Sequence, residues 1–113
     1  MLIRHASDGI VFLDILTIDD DAKGFILYQI DSPQSDWCVK EGYGFIRELY
    51  INADSRYAGH GRALAVHAEN QLKLRNIHGI YLTTDDAMEF WMKMGYRNSC
   101  EICSENYSPI FAK

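Results

Sequence analysis

Residues Glu48–Asn76 read "ELYINADSRYAGHGRALAVHAENQLKLRN" and pass without a break from a strand-like run, through a loop with two closely spaced glycines, into a helical repeat. Strand, glycine loop and helix within so short a stretch point to a mixed α and β fold. Leu64, Ala65, Ala68 and Leu72 recur at the spacing of one helix face, and Asn76 and Gly79 supply stop signals after them. Glycines at such a junction let the backbone approach a ligand closely. Free N–H groups at a helix start attract anions, so a phosphate is the first ligand to consider.

The flanking sequence supplies strands. "GIVFLDILTI" (Gly9–Ile18) and "KGFILYQID" (Lys23–Asp31) are rich in β-branched and aromatic residues and flank the acidic turn Asp19-Asp20-Asp21, which predicts an antiparallel pair. A third strand is expected over roughly Phe45–Ile51, with Phe45, Arg47, Leu49 and Ile51 on one face and Ile46, Glu48 and Tyr50 on the other. "GIYLTT" (Gly79–Thr84) is a further strand, and "YRNSCEIC" with "YSPIFAK" gives one or two closing strands. Asp86 with Glu89 resembles a capping box before a second helix. There Ala87, Phe90, Trp91 and Met94 form an apolar stripe and Gly95 takes the C-terminal position. "SPQSD" (Ser32–Asp36) is loop chemistry.

Composition narrows the function. The 113 residues suit a single domain over 1–113, and at 48% hydrophobic and 24% charged the chain is neither disordered nor membrane-spanning. The start "MLIRHASDG" lacks a secretory pattern, so the cytoplasm is the expected compartment. A net charge of −5 argues against broad nucleic-acid binding and favours small or cationic partners. Three cysteines, with one C-x-x-C at Cys100 and Cys103, give neither a disulfide framework nor a full zinc site, so no metal is expected.

The chain resembles the GNAT superfamily of acetyl-coenzyme A dependent N-acyltransferases. "ELYINADSRYAGHGRALAVHAE" carries the family's R/Q-x-x-G-x-G/A signature as Arg56, Gly59 and Gly61, and "AMEFWMKMGYR" matches its later A-x-x-F-Y-x-K-x-G-F segment. The resemblance implies a mixed, mostly antiparallel central sheet flanked by helices, and acetyl transfer from acetyl-coenzyme A to an amine. The acceptor would be a small-molecule amine or an exposed amino group of a protein.

It also implies roles. The backbone N–H groups of Tyr57, Ala58, Gly59, His60, Gly61 and Arg62 would hold the pyrophosphate, with Arg56 at the head of the signature. The strand before them would splay from its neighbour, leaving backbone groups of Leu49, Tyr50 and Ile51 for the pantetheine arm and for the thioester carbonyl. Glu48 stands where many members carry an acidic general base in a partly dry cleft; its plain reading is a solvated strand glutamate. His5, His60, His67 and His78 are rival bases, of which His67 and His78 read as helix-surface and turn residues.

Two departures matter. Trp91 replaces the tyrosine whose hydroxyl usually protonates the departing thiolate; it fits a core position and can flank the pantetheine. That leaves Tyr81, Tyr96 or water as the acid. Between Ser7 and Lys23 there is little room for the two helices that build much of the family's acceptor site, so the N-terminal helical region is reduced and a homodimer could complete the cleft. The alternative to an enzyme is a non-catalytic acetyl-coenzyme A binding domain. An unrelated phosphate-binding α/β protein is disfavoured by the lack of a G-K-[ST] motif.

Overall fold

The computed structural model describes Met1–Lys113. Seven strands and two helices follow the chain as β1 (Leu2–Ser7), β2 (Val11–Ile18), β3 (Asp21–Ile30), β4 (Gly44–Ile51), α1 (His60–Lys73), β5 (Ile80–Thr83), α2 (Met88–Lys93), β6 (Arg97–Ile102) and β7 (Pro109–Ala112). The strands form one sheet in the order β1-β2-β3-β4-β5-β7-β6, in which only β4 and β5 run parallel. This is the expected α+β fold with a mostly antiparallel sheet.

The expected hairpin is β2 with β3. Asp19 and Asp20 both adopt positive φ (51° and 67°) between the paired residues Ile18 and Asp21, the turn that matches the strands' natural twist. Strand β1 reaches β2 through the short turn Asp8–Ile10, with no helix between them. The Asp8 carboxylate accepts from the N–H groups of Ile10 (2.9 Å) and Val11 (2.8 Å), which holds its pKa below the usual carboxylate range.

Both helices pack on the same face of the sheet. Leu64, Ala65, Ala68 and Leu72 of α1, Trp91 of α2 and Met94 just after it bury against Phe12, Leu16, Ile26, Tyr28, Ile46, Ile80 and Leu82. Within this core lies a fully buried carboxylate, Asp14. It accepts from Tyr28 Oη (2.7 Å) and lies 2.5 Å from His5 Nδ1 and 2.8 Å from His67 Nδ1, so β1, β2, β3 and α1 share one polar cluster. His67 is therefore a half-buried partner of Asp14 rather than a simple helix-surface residue.

On the opposite face, Phe45, Tyr81, Cys103 and Ile110 are covered by Trp37, Val39 and Tyr43 from the loop between β3 and β4. Buried Asp31 anchors that loop. It accepts from the N–H groups of Val39 (2.9 Å) and Lys40 (3.0 Å) and from Tyr81 Oη. The cover stops there, and Leu13, Ile15, Phe25 and Leu27 on the same face stay half-buried and belong to neither apolar cluster.

The expected facing of β4 is corrected by a β-bulge. Glu48 pairs with Leu27 while Ile46 pairs with Tyr28, so Arg47 is an extra residue. An extra residue reverses strand alternation. Ile46, Leu49 and Ile51 consequently share the helix-covered face, and Arg47 does not lie with Leu49 and Ile51.

Second-helix capping also differs from expectation. The residue that caps the start of α2 is Ala87, whose N–H donates to Thr84 Oγ1 (3.1 Å), and Asp86 with Glu89 makes no capping box. Helix α1 ends at Lys73 with Leu74 as its cap, before the Asn76 stop signal.

Candidate active-site cleft

Strands β4 and β5 pair only from Gly44 with Ile80 to Ile46 with Leu82. Beyond Ile46, β4 runs on to Ile51 against β3 alone, and the ladder to β5 opens just where the bulge bends the strand. A cleft of about 990 Å³ occupies the opening, walled by β4 on one side, by Leu82, Thr83 and Thr84 on the other, and by the start of α1 and by α2 at its end. It lies within the size range of small-molecule sites.

The loop closes the top. After a single tight helical turn at Ala53–Ser55 the chain makes positive φ at Tyr57 (64°) and Gly59 (81°) and enters α1 at His60. The first bond of the helix runs from Ala63 N–H to the Gly59 carbonyl (3.1 Å), so the N–H groups of His60, Gly61 and Arg62 precede the hydrogen-bonded ladder. No side chain caps this end. Partnerless donors and the positive end of a 14-residue helix face the cleft together.

The two glycines differ. At Gly59 a side chain would meet nothing within 4 Å but would be forced into the left-handed region, whereas at Gly61 a Cβ would lie 3.5 Å from the Phe90 ring. A methyl group at Gly61 would therefore sit in ordinary van der Waals contact with Phe90, and the packing of α1 against α2 does not require glycine there. Gly59→Ala is expected to cost about 1 to 2 kcal/mol of stability and Gly61→Ala less than about 0.5 kcal/mol, as measured by urea unfolding of the unliganded protein.

Of the residues that the sequence singles out, Glu48, Leu49, Tyr50, Ile51, Arg56, Tyr57, Gly59, His60, Gly61, Arg62 and Trp91 all line this cleft, and Ala58 does not. Arg56 turns back onto β4. Its Nε donates to the Ile51 carbonyl (2.8 Å) and its guanidinium lies 5.6 Å from the centre of the Tyr50 ring, so one strand carbonyl is already taken. Glu48 is exposed, unlike the partly dry setting expected for it, because no helix covers this face of the sheet. Among the histidines only His60 reaches the cleft. His5 and His67 are held by Asp14, and His78 lies beside Tyr43.

Trp91 is 6% exposed, packed edge-on against Phe90 and Tyr96 at 4.9 and 5.4 Å between ring centres, and is among the residues that line the cleft. The tyrosines that could replace its missing hydroxyl are committed elsewhere. Tyr96 Oη donates to buried Glu69 (2.7 Å) and Tyr81 Oη donates to Asp31 while accepting from Trp37 Nε1 (3.0 Å). Burial, reinforced by these carboxylates, drives both hydroxyl pKa values far above the usual tyrosine value, and neither residue lines the cleft.

Sequence reasoning missed Arg47, Thr83, Thr84, Asp86 and Glu89 on the cleft wall. No group of His, Cys, Asp and Glu is arranged to hold a metal ion, and no helix is long and apolar enough to cross a membrane.

The family model described as acetyltransferase (GNAT) family matches residues 2–96. Among solved structures, the chain superposes on the PaiA N-acetyltransferase from Thermoplasma acidophilum in complex with coenzyme A with a TM-score of 0.73 at 17% identity, covering 92% of this chain and 60% of that one. It matches an acetyltransferase from Thermus thermophilus with a TM-score of 0.74 at 14% identity, covering 94% and 65%. A third match is Arabidopsis thaliana Naa50 in complex with the bisubstrate analogue CoA-Ac-MVNAL, with a TM-score of 0.67 at 22% identity and coverage of 89% and 71%. No curated protein matches the sequence.

Proposed function

The chain belongs to the GNAT family of acyltransferases, and from that premise we propose that it is a single-domain cytoplasmic enzyme transferring an acetyl group from acetyl-coenzyme A to an amine. The observation that carries this reading is the juxtaposition of an opened β4–β5 ladder with the partnerless N–H groups at the start of α1. A pyrophosphate satisfies those donors, and an extended pantetheine arm runs down the opened edge of β4 as an added strand. The cleft is large enough for the arm. Structural neighbours solved with coenzyme A or with an analogue joining it to a peptide support the same assignment.

In this reading a backbone N–H of the Leu49–Ile51 segment polarises the thioester carbonyl, so the oxyanion is met by main chain rather than by a side chain. Glu48 takes the proton from the acceptor ammonium, directly or through water. The freed amine attacks the carbonyl carbon, the C–N bond forms, and the C–S bond breaks. The thiolate is a good enough leaving group at neutral pH to take its proton from water, since a free thiol has a pKa of about 8.5. The exposed face beside Glu48 is where the acceptor arrives, and a second copy of the chain seated there would complete it.

One observation favours a second reading, a non-catalytic acetyl-coenzyme A binding domain: no tyrosine hydroxyl is free at Trp91 to protonate the thiolate. Both readings require the cofactor. Acetyl-coenzyme A is expected to raise stability by about 2.7 kcal/mol at a hundredfold excess over its dissociation constant. A melting temperature unmoved by millimolar acetyl-coenzyme A would overturn both, and thiol release in the presence of amines separates them.

A further inference from the structure

The bulge in β4 has a chemical consequence. Neighbouring residues on an unbroken strand point to opposite faces, but the extra residue brings two in succession onto one. Phe45 packs under the β3–β4 loop and Ile46 and Leu49 pack toward the helices, which leaves Arg47 and Glu48 together on the face without helices, both on the cleft wall.

Arg47 is held in place from behind. Its Nη1 donates to Gln29 Oε1 (2.8 Å), and Gln29 is fully buried with its own Nε2 committed to Asp31 Oδ1 (2.9 Å) and the Trp37 carbonyl (2.8 Å). The amide thus has one orientation open to it and presents its oxygen to the guanidinium. The only carboxylate within ion-pair distance of Arg47 is Asp36, 3.5 Å from Nη1 and with an 81% exposed side chain, an arrangement worth little in water. A guanidinium has five N–H donors, and these contacts involve only Nη1. The Glu48 carboxylate has no hydrogen-bond or ion-pair partner, and the two adjacent opposite charges make no ion pair with each other.

Two opposite charges side by side, each lacking a strong partner, match a ligand that carries both. Resting on the acetyl-transfer reading, we propose that the acceptor is a zwitterion, an amino acid whose ammonium meets Glu48 and whose carboxylate meets the Arg47 guanidinium. Leu27, opposite Glu48 in the ladder, and Phe25 beyond it give the acceptor's side chain an apolar floor. The step balances simply. Glu48 takes one ammonium proton and returns it to solvent, the nitrogen bonds the acetyl carbon as the C–S bond breaks, and the second nitrogen proton reaches the departing thiolate through water. The amide product has lost the cation that Glu48 recognised, so it is released while the next amino acid binds.

The test uses acceptors matched except for the carboxylate: L-phenylalanine with 2-phenylethylamine, and L-leucine with 3-methylbutylamine. Thiol release should show a kcat/KM at least about tenfold higher for the amino acid of each pair. Arg47→Gln should raise KM for the amino acid about tenfold more than for its amine, and Arg47→Lys should restore part of the difference. Equal changes for both members of a pair, or a parent enzyme that prefers the amine, would overturn the proposal and leave acetyl transfer standing. Calorimetric titration of L-phenylalanine into protein saturated with coenzyme A needs no turnover. Binding lost in Arg47→Gln supports the zwitterion site even without thiol release, and no binding to the parent rejects it.

Discussion

Glu48→Gln is expected to lower kcat by about a hundredfold or more while acetyl-coenzyme A affinity stays nearly unchanged, because in the proposed reading Glu48 is the general base, whose removal typically costs that much, and main chain rather than Glu48 holds the cofactor. The substitution is nearly isosteric and breaks no hydrogen bond or ion pair in the protein, so a loss of rate cannot be assigned to damaged structure. It also leaves the β3–β4 pairing with Leu27 intact, since that pairing is made by main chain. Steady-state kinetics beside calorimetric titration of the cofactor would check both halves. Turnover equal to the parent would transfer the proton to water or to His60, the one histidine on the cleft wall.

The largest effect on stability is expected at Trp91. Truncation to alanine removes a 6% exposed ring that fills the space between Phe90, Tyr96 and the helix-covered core, and such truncations cost about 3 to 5 kcal/mol. For a chain of this size that corresponds to a fall in melting temperature of more than about 10 °C. Urea unfolding gives the value directly, and a loss below about 1 kcal/mol would show that the indole is not a core element. Trp91→Tyr asks a different question. It keeps most of the packing and places a hydroxyl in the cleft wall, so faster turnover at unchanged cofactor affinity would show that the thiolate leaves slowly for want of an acid. No change would show that water already suffices.

Much of this could be read from the sequence where interactions are local and periodic. The stripe Leu64, Ala65, Ala68 and Leu72 is wholly buried, the Asp19-Asp20 turn joins its strands, and the glycine loop stands between β4 and α1. The facing of β4 was not legible, because a period of two assumes an uninterrupted strand and nothing in "FIRELYI" marks Arg47 as supernumerary. Arg47 was overlooked as a site residue for the same reason. Asp14 reads as one polar residue in an apolar run; its partners come from positions 5, 28 and 67, and only the folded sheet brings them together. Nothing local marks Tyr81 and Tyr96 as unavailable proton donors, because the carboxylates that hold their hydroxyls, Asp31 and Glu69, stand 50 and 27 residues away in the chain. Thr84, rather than Asp86, receives the Ala87 N–H just before α2.

Release of free thiol from acetyl-coenzyme A, followed continuously with and without added amines, tests the central claim most directly. Acetyl transfer predicts thiol release that depends on the amine, saturates with it, and yields the N-acetylated acceptor in equal amount. Saturable binding of acetyl-coenzyme A with no thiol above the uncatalysed rate for any amine or amino acid would contradict it, and would make the cleft a cofactor-binding site without chemistry.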